Sequence, residues 1–273
     1  MPVDVRAEVL ANRRLSDDYN LVALAAPAIA AEARPGQFVM LKPREGLDPL
    51  LRRPFSIFET LRDEGGRPTG LTLLNKRIGT VTGQVYALEA GEGVDCLGPL
   101  GQPWPDIGPP GDGWMVAGGV GLAPFASLAA SLAARGVTPV LFYGARSAAD
   151  LFGRETFEQL GIEIVLATED GSAGSAGFVT APLAARLAAA PADRAVTIYA
   201  CGPTPMMRAV ASLAETHGRR CLVSLEQVMG CGLGGCYSCV VRVRTPDGPH
   251  FVRSCVAGPV FDGRDLVWDE LRH

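Results

Sequence analysis

The first hundred residues place apolar and polar positions in short, partly alternating runs. VDVRAEVLANRRL, NLVALAAPAI, GQFVMLKP, PFSIFET, GLTLLNKRI and EGVDCLGPL each read as a strand. Turn clusters such as RPG, DEGGRP and EAGEG separate them. Six short strands at this spacing predict a closed antiparallel β-barrel, interrupted by a helix near Val81–Leu88. The pattern changes after IGPPGDG (107–113), which reads as a linker. WMVAGG, PVLFYGA, EIVLATED and AVTIYACGP are apolar runs, and ASLAASLAARG, AADLFGRETFEQLG, TAPLAARLAAA and PMMRAVASLAETHG carry helical spacing between and after them. Apolar strands alternating with helices predict a doubly wound parallel sheet. A third, small segment opens at CLVSLEQVMGCGLGGCYSC and holds a hairpin around TPDG (245–248). The expected division is a barrel over 1–108, an α/β domain over 109–220 and a small C-terminal domain over 221–273.

Composition narrows the partners. The 273 residues are 48% hydrophobic and 20% charged, with a net charge of −4, so there is no electrostatic footprint for nucleic acid. MPVDVRAEVLANRRL has no apolar leader core, and every apolar run is too short or too interrupted to span a membrane. The expected address is cytoplasmic. There the seven cysteines, an odd number, point away from a disulfide framework and toward metal or cluster ligation.

Cys231, Cys236 and Cys239 stand in C-x4-C-x2-C spacing, with Gly232, Gly234 and Gly235 between the first two. This is the ligand spacing of a plant-type [2Fe–2S] cluster, and Cys255 is the obvious fourth thiolate. A four-thiolate zinc knuckle is the competing reading, although zinc sites usually pair their ligands in two C-x2–4-C knuckles. Cys96 and Cys221 sit in apolar strand contexts and read as core thiols.

Three more motifs suit phosphate-bearing ligands. In RRPFSI, Arg53 and Ser56 are donors that a diphosphate can use. In LNKRIGTVTG, Gly79 and Thr80 mark a turn into a helix start. In VAGGVGLAPF, Gly118, Gly119 and Gly121 allow close backbone approach of a dinucleotide, with Pro124 in the first helical turn. YACGP ends a later strand with Cys201, Gly202 and Pro203, on the same carboxyl edge of the sheet. Each motif is weak alone; a plain strand or a tight turn explains any one of them.

In order and spacing, RPFS, VAGGVGLAPF, FYGARS and YACGP resemble the ferredoxin–NAD(P) reductase superfamily. SLEQVMGCGLGGCYSC and SCVAGPVFDGRDLVW are similar to the electron-transfer subunits of two-subunit, NAD-dependent dihydroorotate dehydrogenases. The resemblance covers essentially the whole chain. It implies FAD in the barrel, NAD(H) in the α/β domain and a [2Fe–2S] cluster at Cys231, Cys236, Cys239 and Cys255. It also implies a separate FMN-containing catalytic subunit, a heterotetramer with two copies of each chain, and a place in pyrimidine biosynthesis. Arg53, Pro54, Phe55 and Ser56 match the flavin motif, and Gly79 and Thr80 match its Gly-Thr. The family's extra Gly-x before that Gly-Thr is missing here, so the contacts of Leu74, Asn75, Lys76 and Arg77 are less firmly placed.

A two-electron hydride donor and a one-electron cluster need a flavin between them, which makes an electron conduit the expected function. The runner-up is a related flavin and iron–sulfur NAD(P)H oxidoreductase subunit serving ferredoxin, a sulfide or sulfite system, or hydrogenase. Cys201 reads either as a positioning thiol at the nicotinamide–flavin contact or as a buried strand-end residue. Glu226 reads as a group orienting the thiol loop or as a solvated acid, and Arg146 as a cofactor contact or a surface arginine. His217, His250 and His273 carry no assigned role.

Overall fold

The computed structural model describes residues 1–44, 46 and 48–271; His273 lies outside them. The barrel unit contains β1 (Val3–Arg14), β2 (Tyr19–Ala25), α1 (Pro27–Glu32), β3 (Phe38–Lys42), β4 (Arg53–Ser56), β5 (Glu59–Arg62), β6 (Pro68–Lys76), α2 (Thr80–Tyr86) and β7 (Gly93–Leu100). Its strands form one antiparallel sheet in the order β4-β3-β7-β1-β2-β6-β5. Every second residue of β7 is buried, as a strand with one face on a core requires. Val9, Leu24, Leu41, Leu73 and Cys96 meet in that core.

The α/β unit contains β8 (Asp112–Gly118), α3 (Ala126–Ala134), β9 (Thr138–Ala145), α4 (Glu155–Gln159), β10 (Glu163–Thr168), β11 (Ser175–Ala176), α5 (Thr180–Ala189), β12 (Val196–Cys201), α6 (Thr204–Thr216) and β13 (Arg220–Ser224). The chain ends with β14 (Val240–Val243), β15 (His250–Arg253), α7 (Ser254–Ala257) and β16 (Val260–Asp262). The second sheet runs β11-β10-β9-β8-β12-β13-β16; its strands are parallel except β16, which returns antiparallel on β13. β8 is buried on both faces over most of its length, the mark of a strand covered by helices on two sides. β14 and β15 form the expected hairpin, closed by mutual backbone bonds between Thr245 and Gly248.

Where the elements differ from the sequence reading, local backbone chemistry is the reason. Pro27 cannot continue β2 as a ladder donor, so the PAI of NLVALAAPAI opens α1 instead. PFSIFET is two strands. The Ile57 amide bonds Gln37 and the Phe58 amide bonds Thr72, so the run leaves β3 and joins β6 at this corner. The two edges of the curled sheet are therefore halves of one segment, and that segment closes it. AADLFGRETFEQLG is not one helix. A 3₁₀ turn at Ala148–Asp150 and the short α4 flank Gly153, whose φ of +70° no helix interior accepts. Residues 119–122 form a 3₁₀ turn and α3 starts at Ala126, leaving Pro124 ahead of the helix. The linker stretch ends in β8, which already includes Asp112 and Gly113. Residues 221–224, read as the start of the third segment, are the interior of β13 and pair with β12.

Trp104 pins the two large units together. Its backbone amide donates to the Pro35 carbonyl at 2.8 Å and its indole Nε1 to the Pro124 carbonyl at 3.3 Å. The ring stacks on Phe125 and stands edge-on to Tyr199. Among the described residues no helix is long and apolar enough to cross a membrane.

A relay of amides holds α2 against the barrel. Asn75 donates to Asn20 at 2.7 Å, Asn20 donates to Asn12 at 2.6 Å, and Asn12 donates to the Leu88 carbonyl at 2.7 Å. Asn20 is fully buried. Asn20→Ala strands partners on both sides and should destabilise the chain by about 2 kcal/mol, read as a lowered melting temperature.

Candidate functional site: an interdomain cleft and a thiol loop

A cleft of about 670 Å³ opens at the carboxyl edge of the second sheet, between β8 and β12, where the strand order reverses. Gly118, Gly119, Gly202 and Pro203 line its floor. The glycines are there because two backbones touch. A Cβ on Gly121 would lie 2.3 Å from the Cys201 carbonyl oxygen, and one on Gly202, at φ +147°, would lie 3.0 Å from the Gly118 backbone. Gly121 is thus a spacer behind the floor. Pro124 lies away from the cleft, with its carbonyl taken by Trp104.

The barrel supplies the opposite wall. Tyr19 and Lys76 line it, with the Lys76 ammonium 5.4 Å from the Tyr19 ring centre. Phe152 meets the Tyr19 ring at 4.7 Å from the other unit. Of the predicted run 74–76, only the Lys76 side chain reaches the cleft. Leu74 packs into the core shared with the α/β unit, and the Asn75 amide nitrogen serves the amide relay while its buried Oδ1 has no partner among the described residues. Glu226 also lines the cleft. Its carboxyl is open to cleft water yet walled by protein, and burial raises its pKa while Lys76 partly opposes the rise. Cys201 caps β12 with a buried thiol that burial, with Glu226 beside it, pushes well above the ordinary value. A thiol held protonated is no nucleophile, which fits packing and positioning. Sequence reading missed Tyr19 and Phe152, because their role comes from units more than a hundred positions apart.

The RPFS motif is β4, on the sheet edge. Phe55 is buried in the barrel while Pro54 and Ser56 are half-buried. Arg53 is exposed, and its guanidinium donates only to the Leu51 and Arg52 carbonyls, both at 3.1 Å. A cation with no acidic partner among the described residues is ready for a phosphate. Gly79 precedes α2 with open space around it, and Thr80 is exposed at the first helical position.

The thiol loop seats on the barrel beside that motif. Cys239 and Cys255 are buried against Phe38, Met40, Leu100 and Met229. A Cβ on Gly232, at φ +72°, would fall 2.6 Å from the Met40 side chain, so glycine is required there. The Ser254 amide bonds the Cys239 carbonyl at 2.9 Å, and Arg253 bonds the Gly234 carbonyl at 2.9 Å, which brings the fourth cysteine to the other three.

Cys231 influences both Cys236 and Cys255, and Cys239 adjoins Cys255. Hydrogen bonds from Ser238, then Cys231, bring Cys236 down to about 6. Burial, then Cys239 beside it, pushes Cys255 up to about 12. Four cysteines on one glycine loop and the adjoining α7 suit a two-iron cluster, whose irons each take two thiolates; zinc sites more usually pair their ligands in two knuckles. The Leu233 amide points at the Cys231 sulfur at 3.4 Å, a donor of the kind that tunes cluster sulfurs.

A curled antiparallel sheet, an α/β nucleotide sheet and a thiol loop together define an oxidoreductase of the ferredoxin-reductase-like fold. Residues 115–212 match the oxidoreductase NAD-binding domain, and residues 226–267 match the iron–sulfur cluster binding domain of dihydroorotate dehydrogenase B. The chain is 35% identical over 264 residues to the dihydroorotate dehydrogenase B (NAD(+)) electron transfer subunit of Geobacillus kaustophilus, covering 96% of this chain and 98% of that one. The corresponding subunit of Shouchella clausii is 36% identical, covering 92% and 93%. A solved structure of an NADH-dependent reduced ferredoxin–NADP oxidoreductase, studied for flavin-based electron bifurcation, superposes with a TM-score of 0.83 at 29% identity, covering 98% and 91%. This chain belongs to the family of dihydroorotate dehydrogenase B electron transfer subunits.

The floor of the cleft tolerates no added carbon at Gly121. Gly121→Ala should weaken NADH binding at least about tenfold by forcing the two glycine turns apart, measured by titration, while leaving the visible iron–sulfur absorbance in place.

Proposed function

We propose that this chain carries electrons between a dihydroorotate-oxidising, FMN-containing subunit and NAD+, in the cytoplasm and in pyrimidine biosynthesis, as half of an assembly with two copies of each chain. The observation that carries this reading is the adjacency of thiol loop and flavin motif. β4, the RPFS strand, pairs with β3, Met40 opposite Pro54 and Phe38 opposite Ser56. Phe38 and Met40 are the residues on which Cys239 and Cys255 pack. In this reading one strand, β3, lies between the strand offered to FAD and the thiols offered to the [2Fe–2S] cluster, and Tyr19 and Lys76 of the same barrel sheet line the cleft offered to NAD(H).

Bound there, these groups would supply hydride exchange at the nicotinamide, two- to one-electron conversion at the flavin and single-electron transfer at the cluster. The chain's residues hold these groups in line. Arg53 and Ser56 offer donors to the flavin's diphosphate, together with the turn at Gly79 and Thr80. Gly118, Gly119, Gly202 and Pro203 offer bare backbone to the dinucleotide. Cys201 packs in the core behind the cleft floor with its proton retained, and Cys231, Cys236, Cys239 and Cys255 hold the cluster. The sheets support unit boundaries slightly different from the sequence division, with β13 kept in the NAD unit and the cluster unit starting near Glu226.

Leu50, Val228, Leu233 and Tyr237 expose large apolar side chains around the loop. Leu51 lies beside Gly230 and adds to this face. A rim of this kind is what a partner subunit covers when it must approach the cluster closely and exclude water.

Two measurements test the reading. The native assembly should contain a second flavin subunit and reduce NAD+ with dihydroorotate; an assembly active with ferredoxin alone overturns it. Cys236→Ala should abolish the iron–sulfur absorbance and paramagnetic signal while leaving flavin bands and NADH-to-dye activity. Loss of both chromophores together would contradict separate seats for them.

A further inference from the structure

The thiol loop carries a polar contact that iron ligation by itself does not require. Cys239 and Cys255 are buried against the barrel, whereas Cys236 is exposed. Ser238 is the side chain turned toward that exposed thiol, with its Oγ 3.2 Å from the Cys236 sulfur. The same oxygen accepts from the Gly230 amide at 2.9 Å. That amide takes a lone pair and leaves the hydroxyl hydrogen free. A cysteine that ligates iron is a thiolate, an acceptor with no proton to give. In the loaded protein the Ser238 hydroxyl therefore donates and the Cys236 sulfur accepts.

The local backbone is shaped to make this contact. Tyr237, between the two residues, has φ +60°, and among the described residues no other non-glycine residue has a positive φ. Such a conformation persists where its surroundings hold it. Here Arg253 does so: its guanidinium lies 5.1 Å from the Tyr237 ring centre and donates to the Gly234 carbonyl at 2.9 Å. On the other side, a Cβ on Gly230 would lie 3.2 Å from the Cys236 sulfur and 3.5 Å from the Ser238 Oγ, so the bare amide is what fits. The Ser238 and Cys231 amides also bond the Cys236 sulfur, and the Leu233 amide points at Cys231. Those donors belong to the chain path. The Ser238 hydroxyl depends on which residue stands there.

One added electron makes a cluster more negative by one charge, with no bond made or broken and no proton moved. Part of that charge falls on the ligating sulfurs. A donor at a thiolate thus stabilises the reduced form more than the oxidised form and raises the reduction potential. We propose that Ser238 is a positioning residue of the electron path: its hydroxyl, oriented by the Gly230 amide, donates to the Cys236 thiolate and raises the potential at which the thiol loop's cluster takes one electron from the partner's reduced flavin and releases it to FAD. The proposal rests on the reading of the thiol loop as the [2Fe–2S] seat.

A mediator titration of the cluster-loaded chain with dithionite, followed by the paramagnetic signal, tests it without turnover. Ser238→Ala should make reduction about threefold to tenfold less favourable, a fall of about 30–60 mV for one electron. Ser238→Thr keeps the hydroxyl and should stay within about twofold, or about 20 mV. The sign separates this role from a merely structural one. If Ser238 only held the loop closed, alanine would admit water, which favours the more charged reduced form and raises the potential. No shift, or a rise, in Ser238→Ala with its iron content intact overturns the proposal alone. An unaltered chain that shows no iron–sulfur signal takes the cluster-seat reading down with it. Should Ser238→Ala take up no iron, the unaltered chain decides: its iron–thiolate stretching bands should move in deuterated buffer, and bands that stay in place overturn the proposal.

Discussion

The arrangement depends on how closely a glycine-rich thiol loop can lie on one barrel strand. At Gly232 the backbone approaches Met40 until no β-carbon fits, and its left-handed φ is one that glycine alone adopts freely. That approach buries Cys239 and brings α7, with Cys255, onto the same apolar patch. Because β3 also pairs with the RPFS strand, the same contact fixes the spacing between the two candidate redox seats. A larger side chain at Gly232 would do more than strain a turn. It would lift the loop and lengthen the electron path.

The second close approach has the same character. Gly121 against Cys201, and Gly202 against Gly118, let two turns from strands eighty residues apart form one floor. Bare backbone at that floor leaves amide groups open to a dinucleotide, and behind it Cys201 is a core thiol that burial holds protonated. Trp104, locked between the Pro35 and Pro124 carbonyls, keeps the barrel wall and this floor facing each other. The molecule thus spends its rigid contacts where two units must hold ligands in fixed register, and leaves an apolar rim for a partner.

Much of this could be read in the chain. The two alternations, period two and then apolar strands between helices, give both sheets. The cysteine spacing names candidate ligands, and glycines at strand ends mark the carboxyl edge where the cleft opens. The losses came where backbone chemistry overrode pattern: Pro27 turning a strand into a helix, Gly153 breaking a helix in two, and Ile57–Phe58 turning a single run into both edges of a sheet. Asn75 was placed in the cofactor site on resemblance; its amide nitrogen serves the amide relay, and its Oδ1 has no partner among the described residues.

Residue identity and spacing alone determined the class of chemistry and pointed to four thiols as candidate ligands, because local periodicity and cysteine spacing are properties of the chain. Only the tertiary structure decided that Cys239 and Cys255 share one apolar patch, that β3 lies between the RPFS strand and the thiol loop, and that Arg146 lies beside Asp150. Those facts depend on distances across turns and sheets, and a single sequence does not carry distances.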